Sequence, residues 1–203
     1  MQAYQIMSDK KLTYSIQFYS YWHTSSGLSA GTAANLTVIK HPHTGLPVIK
    51  GRTLKGMLRD AAYHIHSFHK SLVSSAFIDK VFGVGQDNQE GSGLNKPTID
   101  RGSQCFFSDA ELSAGLSYKL GNDSFAGLLY STLSSTAIKD SGLAKRGTLR
   151  TLEVTIPLTL YATIDHFPAE HEAELKRCFQ WIKRMGLNRH RGLGRCKFTI
   201  KND

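Results

Sequence analysis

The chain is short of cysteine, of acidic residues and of long apolar runs, and each shortage removes a class of protein. Its three cysteines, Cys105, Cys178 and Cys196, stand far apart. No two have the spacing of a zinc knuckle or a redox dithiol, so they are expected to be reduced and buried. No apolar stretch approaches the roughly 20 residues a helix needs to cross a bilayer. The segment 1–11 puts no apolar core behind its charges, so no signal peptide is expected and the location expected is the cytoplasm. No cofactor motif, metal-ligand set or catalytic constellation stands out, and none is expected. Internal repeats and linkers are missing too. A single domain spanning 1–203 follows.

Acids number 16 against 25 lysines and arginines, a net charge of +9. An excess of that size favours a polyanionic partner, nucleic acid ahead of a membrane surface.

What is present falls into a simple order. Lys11–Ser20 alternates, with Leu12, Tyr14, Ile16 and Phe18 on one side, which is the period of a half-buried strand. A small-residue loop with Trp22 and His23 follows, then a short β-branched run over Asn35–Lys40 and a Pro/Gly turn over 41–47. From Ile49 to Phe68 the apolar residues Leu54, Met57, Leu58, Ala61, Ala62, Ile65 and Phe68 recur at helical spacing, with Thr53 as candidate N-cap. A shorter helix is expected around Ser71–Val81 and a strand over Gln104–Leu112, ending near an exposed Asp109. Leu152–Ile164 reads as a long strand interrupted by Pro157, which implies an edge or a bulge. Pro168–Met185 reads as a helix, acids early and Lys183 and Arg184 late. Cys196–Ile200 is the last strand. Two stretches, about 84–103 and 113–150, have the polar, Gly-rich composition of long insertions, the second expected to project as a hairpin.

Without the insertions the order is strand, helix, strand, strand, helix, strand. This is the α+β, ferredoxin-like (RRM-like) βαββαβ pattern, an antiparallel sheet with helices on one face. The RNP-type aromatic signature of sheet-stacking RNA binders is missing, so RNA is expected on loops and helix ends.

Two basic stretches suggest where. Arg52, Lys55 and Arg59 crowd the start of the first helix, where cations oppose the helix dipole, so an anion is expected there. Near the C-terminus, 185–195 packs Arg189, Arg191 and Arg195 among Gly186, Gly192 and Gly194. Glycines that free backbone N–H groups, together with arginine forks, would make a phosphate cradle. Solvated basic surface is the plainer alternative for both.

Several segments, in order, resemble the RAMP (repeat-associated mysterious protein) superfamily of CRISPR-associated proteins. These are the Trp22–His23 loop, Thr44–Arg59 with its Leu-Lys-Gly-Met-Leu-Arg helix start, Phe82–Gly83, Phe107–Ala110, Ala137–Glu153, and the loop His190–Arg195. The resemblance implies a guide-binding backbone subunit of a type III-like effector complex. Its partners would be CRISPR guide RNA, a complementary target nucleic acid (RNA ahead of DNA) and other RAMP subunits. It carries RNA contact onto His23, Lys50, Arg52, Lys55, Arg59, Arg189, Arg191, Gly192, Gly194 and Arg195. An insertion resembling the family's thumb adds Lys145 and Arg146. Phosphate contacts of this kind hold a strand without reading its bases.

One departure bears on chemistry. Target-cutting relatives place an aspartate six positions before the turn that is His41-Pro-His-Thr-Gly in this chain, and counting back lands on Asn35. Asparagine is neither a general base nor an anionic metal ligand, so the usual cut is not expected. The alternative is an active endoribonuclease of the same superfamily, cutting target through Asp109 or Asp140 or processing guide RNA through His23. Processing nucleases usually join two ferredoxin-like halves, and this chain supplies one.

Overall fold

The computed structural model describes residues 9–28, 36–83, 102–122 and 125–201. Asn35 and most of the first expected insertion lie outside the described residues.

Strand β1, Asp9–Phe18, buries Leu12, Tyr14, Ile16 and Phe18, as its alternation requires. It is flanked by β5, Thr159–Pro168, and β6, Cys196–Lys201, both antiparallel to it. Strand β2 is only Phe106–Phe107 and pairs antiparallel with β5. The sheet order is therefore β2-β5-β1-β6. Its inner face carries Leu160, Ala162, Ile164 and Phe198 against α1, Gly51–Phe68, and α4, Glu172–Trp181. Tyr14, Phe179 and Phe198 meet at the centre, with ring centroids 5.0–6.2 Å apart. Between α1 and β2 lies α2, Ser75–Phe82, whose N-cap Ser74 accepts from the Phe77 N–H. The ferredoxin-like expectation holds.

Several boundaries move, each for a local reason. The expected strand 104–112 shrinks to two residues, continued by bridges at Ala110 and Glu111. The expected strand 152–164 is two strands in different sheets. Arg150–Thr155 is β4, and it pairs with β3, Tyr130–Ser135, in a separate ribbon. Pro157, which has no N–H to give a ladder, sits at the break. The second insertion supplies α3, Ala114–Asn122, and then this hairpin. Helix α4 stops at Trp181, so Lys183 and Arg184 are not in its last turn: the chain turns and Arg184 bridges Arg195 instead. Of the run expected as a strand, residues 36–40 form isolated bridges at Leu36, Val38 and Lys40.

The direction of each strand places the loops. Phe18 pairs with Cys196 and Gln17 with Thr159, so the loop after β1, the glycine loop before β6 and the hairpin base before β5 share one end of the sheet. The start of α1 lies instead at the β2 edge, tied there by the Ile49–Ala110 bridge and, through Ser108, level with Thr163 midway along β5.

Candidate nucleic-acid interface

The first helix turn is built in an unusual way. Lys50 is its N-cap but has no side-chain cap bond, and no acid lies in the first turn. Thr53 is inside the helix and caps nothing. The acid comes from a distant strand end: Asp109 accepts from the Gly51 N–H and from Lys50 Nζ, both at 2.8 Å. Asp109 is thus half-buried and paired, not the exposed acid the sequence suggested. Partial burial would raise its carboxyl, but the Lys50 and Gly51 hydrogen bonds and the nearby positive charge outweigh that and hold it below its usual range. Gly51 is obligatory, because a Cβ there would stand 2.0 Å from the Phe107 carbonyl oxygen. Beyond this capped turn, Arg52 and Arg59 are exposed and Lys55 half-buried. Burial, then the Arg59 charge, pulls the Lys55 ammonium down from its usual value. An anion docked between them would relieve that repulsion.

The glycine loop is braced rather than open. Gly194 donates to the Tyr21 carbonyl at 2.7 Å, Arg195 N–H to Ser20 Oγ at 3.0 Å, and Leu187 N–H to the His23 carbonyl at 2.9 Å. Gly194 has φ +70°, and a Cβ would lie 1.8 Å from the Met185 carbonyl oxygen. Gly186 stands equally close to the His23 carbonyl, 2.3 Å from a built Cβ. These glycines let two backbones pack, which corrects the picture of a run of free N–H groups awaiting a phosphate. The side chains of Arg189, Arg191 and Arg195 are all exposed, with Gly192 exposed between them.

His23 is fully buried, with its Nδ1 2.7 Å from the Glu153 carbonyl oxygen, a contact that ties the loop after β1 to the hairpin. Trp22 does the same work, stacked on Phe18 with centroids 4.4 Å apart and exchanging backbone hydrogen bonds with Thr155. Lys145 and Arg146 are exposed near the tip of the β3–β4 hairpin, where Lys145 N–H donates to Ala137 and Thr148 Oγ1 bonds Thr136.

The two cationic groups stand at opposite edges of the sheet, the α1 start beside β2 and midway along β5, and the glycine loop where β6 begins. Three strand spacings separate those edges, roughly 14 Å. The open face between them carries Phe106 and Tyr161, both exposed. Phe106 pairs with Asp165, four residues along β5 from Tyr161, so the rings stand roughly 13 Å apart and form no joint stacking platform.

The sequence profile of the RAMP superfamily matches residues 15–197. The chain belongs to the RAMP superfamily. No curated protein matches it in sequence. Two solved structures share the fold. A chain of the type III-B Cmr-beta complex bound to cognate target RNA is 11% identical, with a TM-score of 0.64 over 96% of this chain and 98% of that one. A chain of the same complex in its apo state is 13% identical, with a TM-score of 0.66 over 97% and 99%. Within this RAMP fold, sequence reasoning missed a third basic group, Lys183, Arg184 and Lys197, which flanks the glycine loop. Their charge was legible, but reading Lys183 and Arg184 as helix-dipole partners disguised it.

Proposed function

We propose that this RAMP protein is a guide-holding backbone subunit of a type III-like CRISPR effector complex. It grips the sugar–phosphate backbone of CRISPR RNA so that a complementary target, RNA rather than DNA, can pair with it, and it assembles with other RAMP subunits. The observation that carries the reading is the presence on one RAMP fold of two basic groups, Lys50, Arg52, Lys55 and Arg59 at the start of α1 and Arg189, Arg191 and Arg195 in the glycine loop. The exposed hairpin tip with Lys145 and Arg146 fits a projecting thumb. The chain's +9 charge fits a strand held through phosphates.

The subunit holds RNA without making the usual cut, since Asn35 stands where cutting relatives have aspartate. The nuclease alternative loses two of its three residues to structural duties: Asp109 caps α1, and His23 is buried against Glu153. Asp140 is exposed on the hairpin and has neither a base nor a second acid assigned to it.

Binding is tested by titrating guide RNA against salt. Replacing Arg52, Lys55 and Arg59 together by alanine should lower affinity and reduce the log–log salt slope by about 2, near 0.7 per lost phosphate contact on a single strand. An unchanged slope rejects the reading. Catalysis is tested by incubating the guide-loaded protein with complementary RNA, with and without magnesium. No cut is expected; a magnesium-dependent cut abolished by Asp140→Ala would overturn the non-cutting assignment.

A further inference from the structure

Beside the glycine loop, between the end of α4 and the start of β6, lies an open groove of about 500 Å³. Its floor is apolar, formed by Phe179 and Phe198, whose rings stack at 5.2 Å. Its rim is cationic: Lys183, Arg184, Arg195 and Lys197. Among the described residues none of these four is in an ion pair, whereas Lys10, Lys40, Lys50, Lys80 and Lys176 all are. Tyr19 completes the wall, 46% exposed, with the Arg195 guanidinium 5.7 Å from its ring centre.

We propose that this groove seats one nucleotide of a single RNA strand as the strand leaves the glycine loop, with its base against Tyr19 and its phosphates on Lys183 and Lys197. The proposal rests on the RNA-holding reading above and names a subsite that reading does not include. Three features favour a nucleotide over an acidic protein segment. The volume lies in the range of small-ligand sites, about 300–1,000 Å³. A tyrosine with an arginine above it is a sequence-tolerant stacking platform with a phosphate-binding fork attached. The groove is also continuous with the loop: Arg195 belongs to both, and Arg184 Nη1 donates to the Arg189 carbonyl at 3.0 Å.

The test compares two variants of the full chain for binding of a fluorescein-labelled 12-nucleotide single-stranded RNA across a salt series. One is Lys183→Ala/Lys197→Ala, the other the triple variant of α1. Both lysines are exposed, so the melting temperature of the groove variant should match the parent. Its affinity at 0.15 M salt should fall roughly tenfold, and its salt slope by about 1.4. With a 4-thiouridine RNA, photo-crosslinks should map to Tyr19 and vanish in Tyr19→Ala. If the groove variant binds like the parent while the α1 variant weakens, the groove is off the RNA path and this proposal fails with the function reading intact. If neither variant weakens, both fail. Parent-like crosslinking in Tyr19→Ala rejects the stacking role.

Discussion

Gly192 and Gly194 sit two residues apart in one loop with opposite demands. Both have positive φ, +93° and +70°, but only Gly194 has a backbone oxygen where its Cβ would go. Gly192→Ala should therefore cost only the left-handed penalty, about 1–2 kcal/mol. Gly194→Ala must also push Met185 aside, and should cost about 3 kcal/mol or more. Urea unfolding of the two variants checks the difference, and equal losses would mean that the loop does not pack on Met185. Asp109 offers a second residue-scale prediction. Its carboxyl is held below the ordinary 3.8, so its contribution to stability is present above that value and is lost as pH falls through the lower folded value. Asp109→Asn, which keeps an acceptor for Gly51, should be less stable than the parent at pH 7 and converge with it as the pH falls through the lowered folded value. His23→Ala should lose stability by about 2 kcal/mol or more and change the salt slope of RNA binding little, because a buried imidazole contacts no phosphate.

At the scale of elements, α1 shows what a one-dimensional pattern conveys and what it omits. Its apolar spacing from Leu54 to Ile65 was legible because burial enforces the helical period. Its cap was not, because Asp109 is 58 residues away in sequence from Gly51. Asp109→Ala should lower stability by about 1 kcal/mol, the usual cost of a lost cap, measurable by thermal melting. The hairpin teaches a similar lesson. Alternation through 152–164 was real, but it could not say that the residues before Pro157 pair with β3 and those after it with β1. Since the tip from 137 to 147 is exposed and contributes nothing to the core, replacing it by a short Asn-Gly turn should leave the melting temperature unchanged. The same change removes Lys139, Lys145 and Arg146 and should reduce the salt slope of RNA binding; an unaltered slope would place the thumb off the strand.

For the molecule as a whole, charge and topology act together. Composition gives a +9 chain, while the fold puts two basic groups, the glycine loop and the α4–β6 groove, side by side at the start of β6 and a third, at α1, on the β2 edge. The element order, the inward face of β1, the three isolated cysteines and the two basic stretches could all be read from the sequence. They depend on local periodicity, residue chemistry and spacing, which survive without coordinates. All three cysteines are indeed buried and none is in a disulfide, and burial pushes the Cys178 and Cys196 thiols up to about 12. What only the tertiary structure decided is which groups meet. It turned His23 inward, gave Asp109 to a helix end, and closed Gly194 against Met185. It also brought Lys183 and Lys197 to one groove. The His23–Glu153 and Gly51–Asp109 pairings span 130 and 58 residues, and such contacts are fixed by packing of the whole core rather than by any stretch of chain.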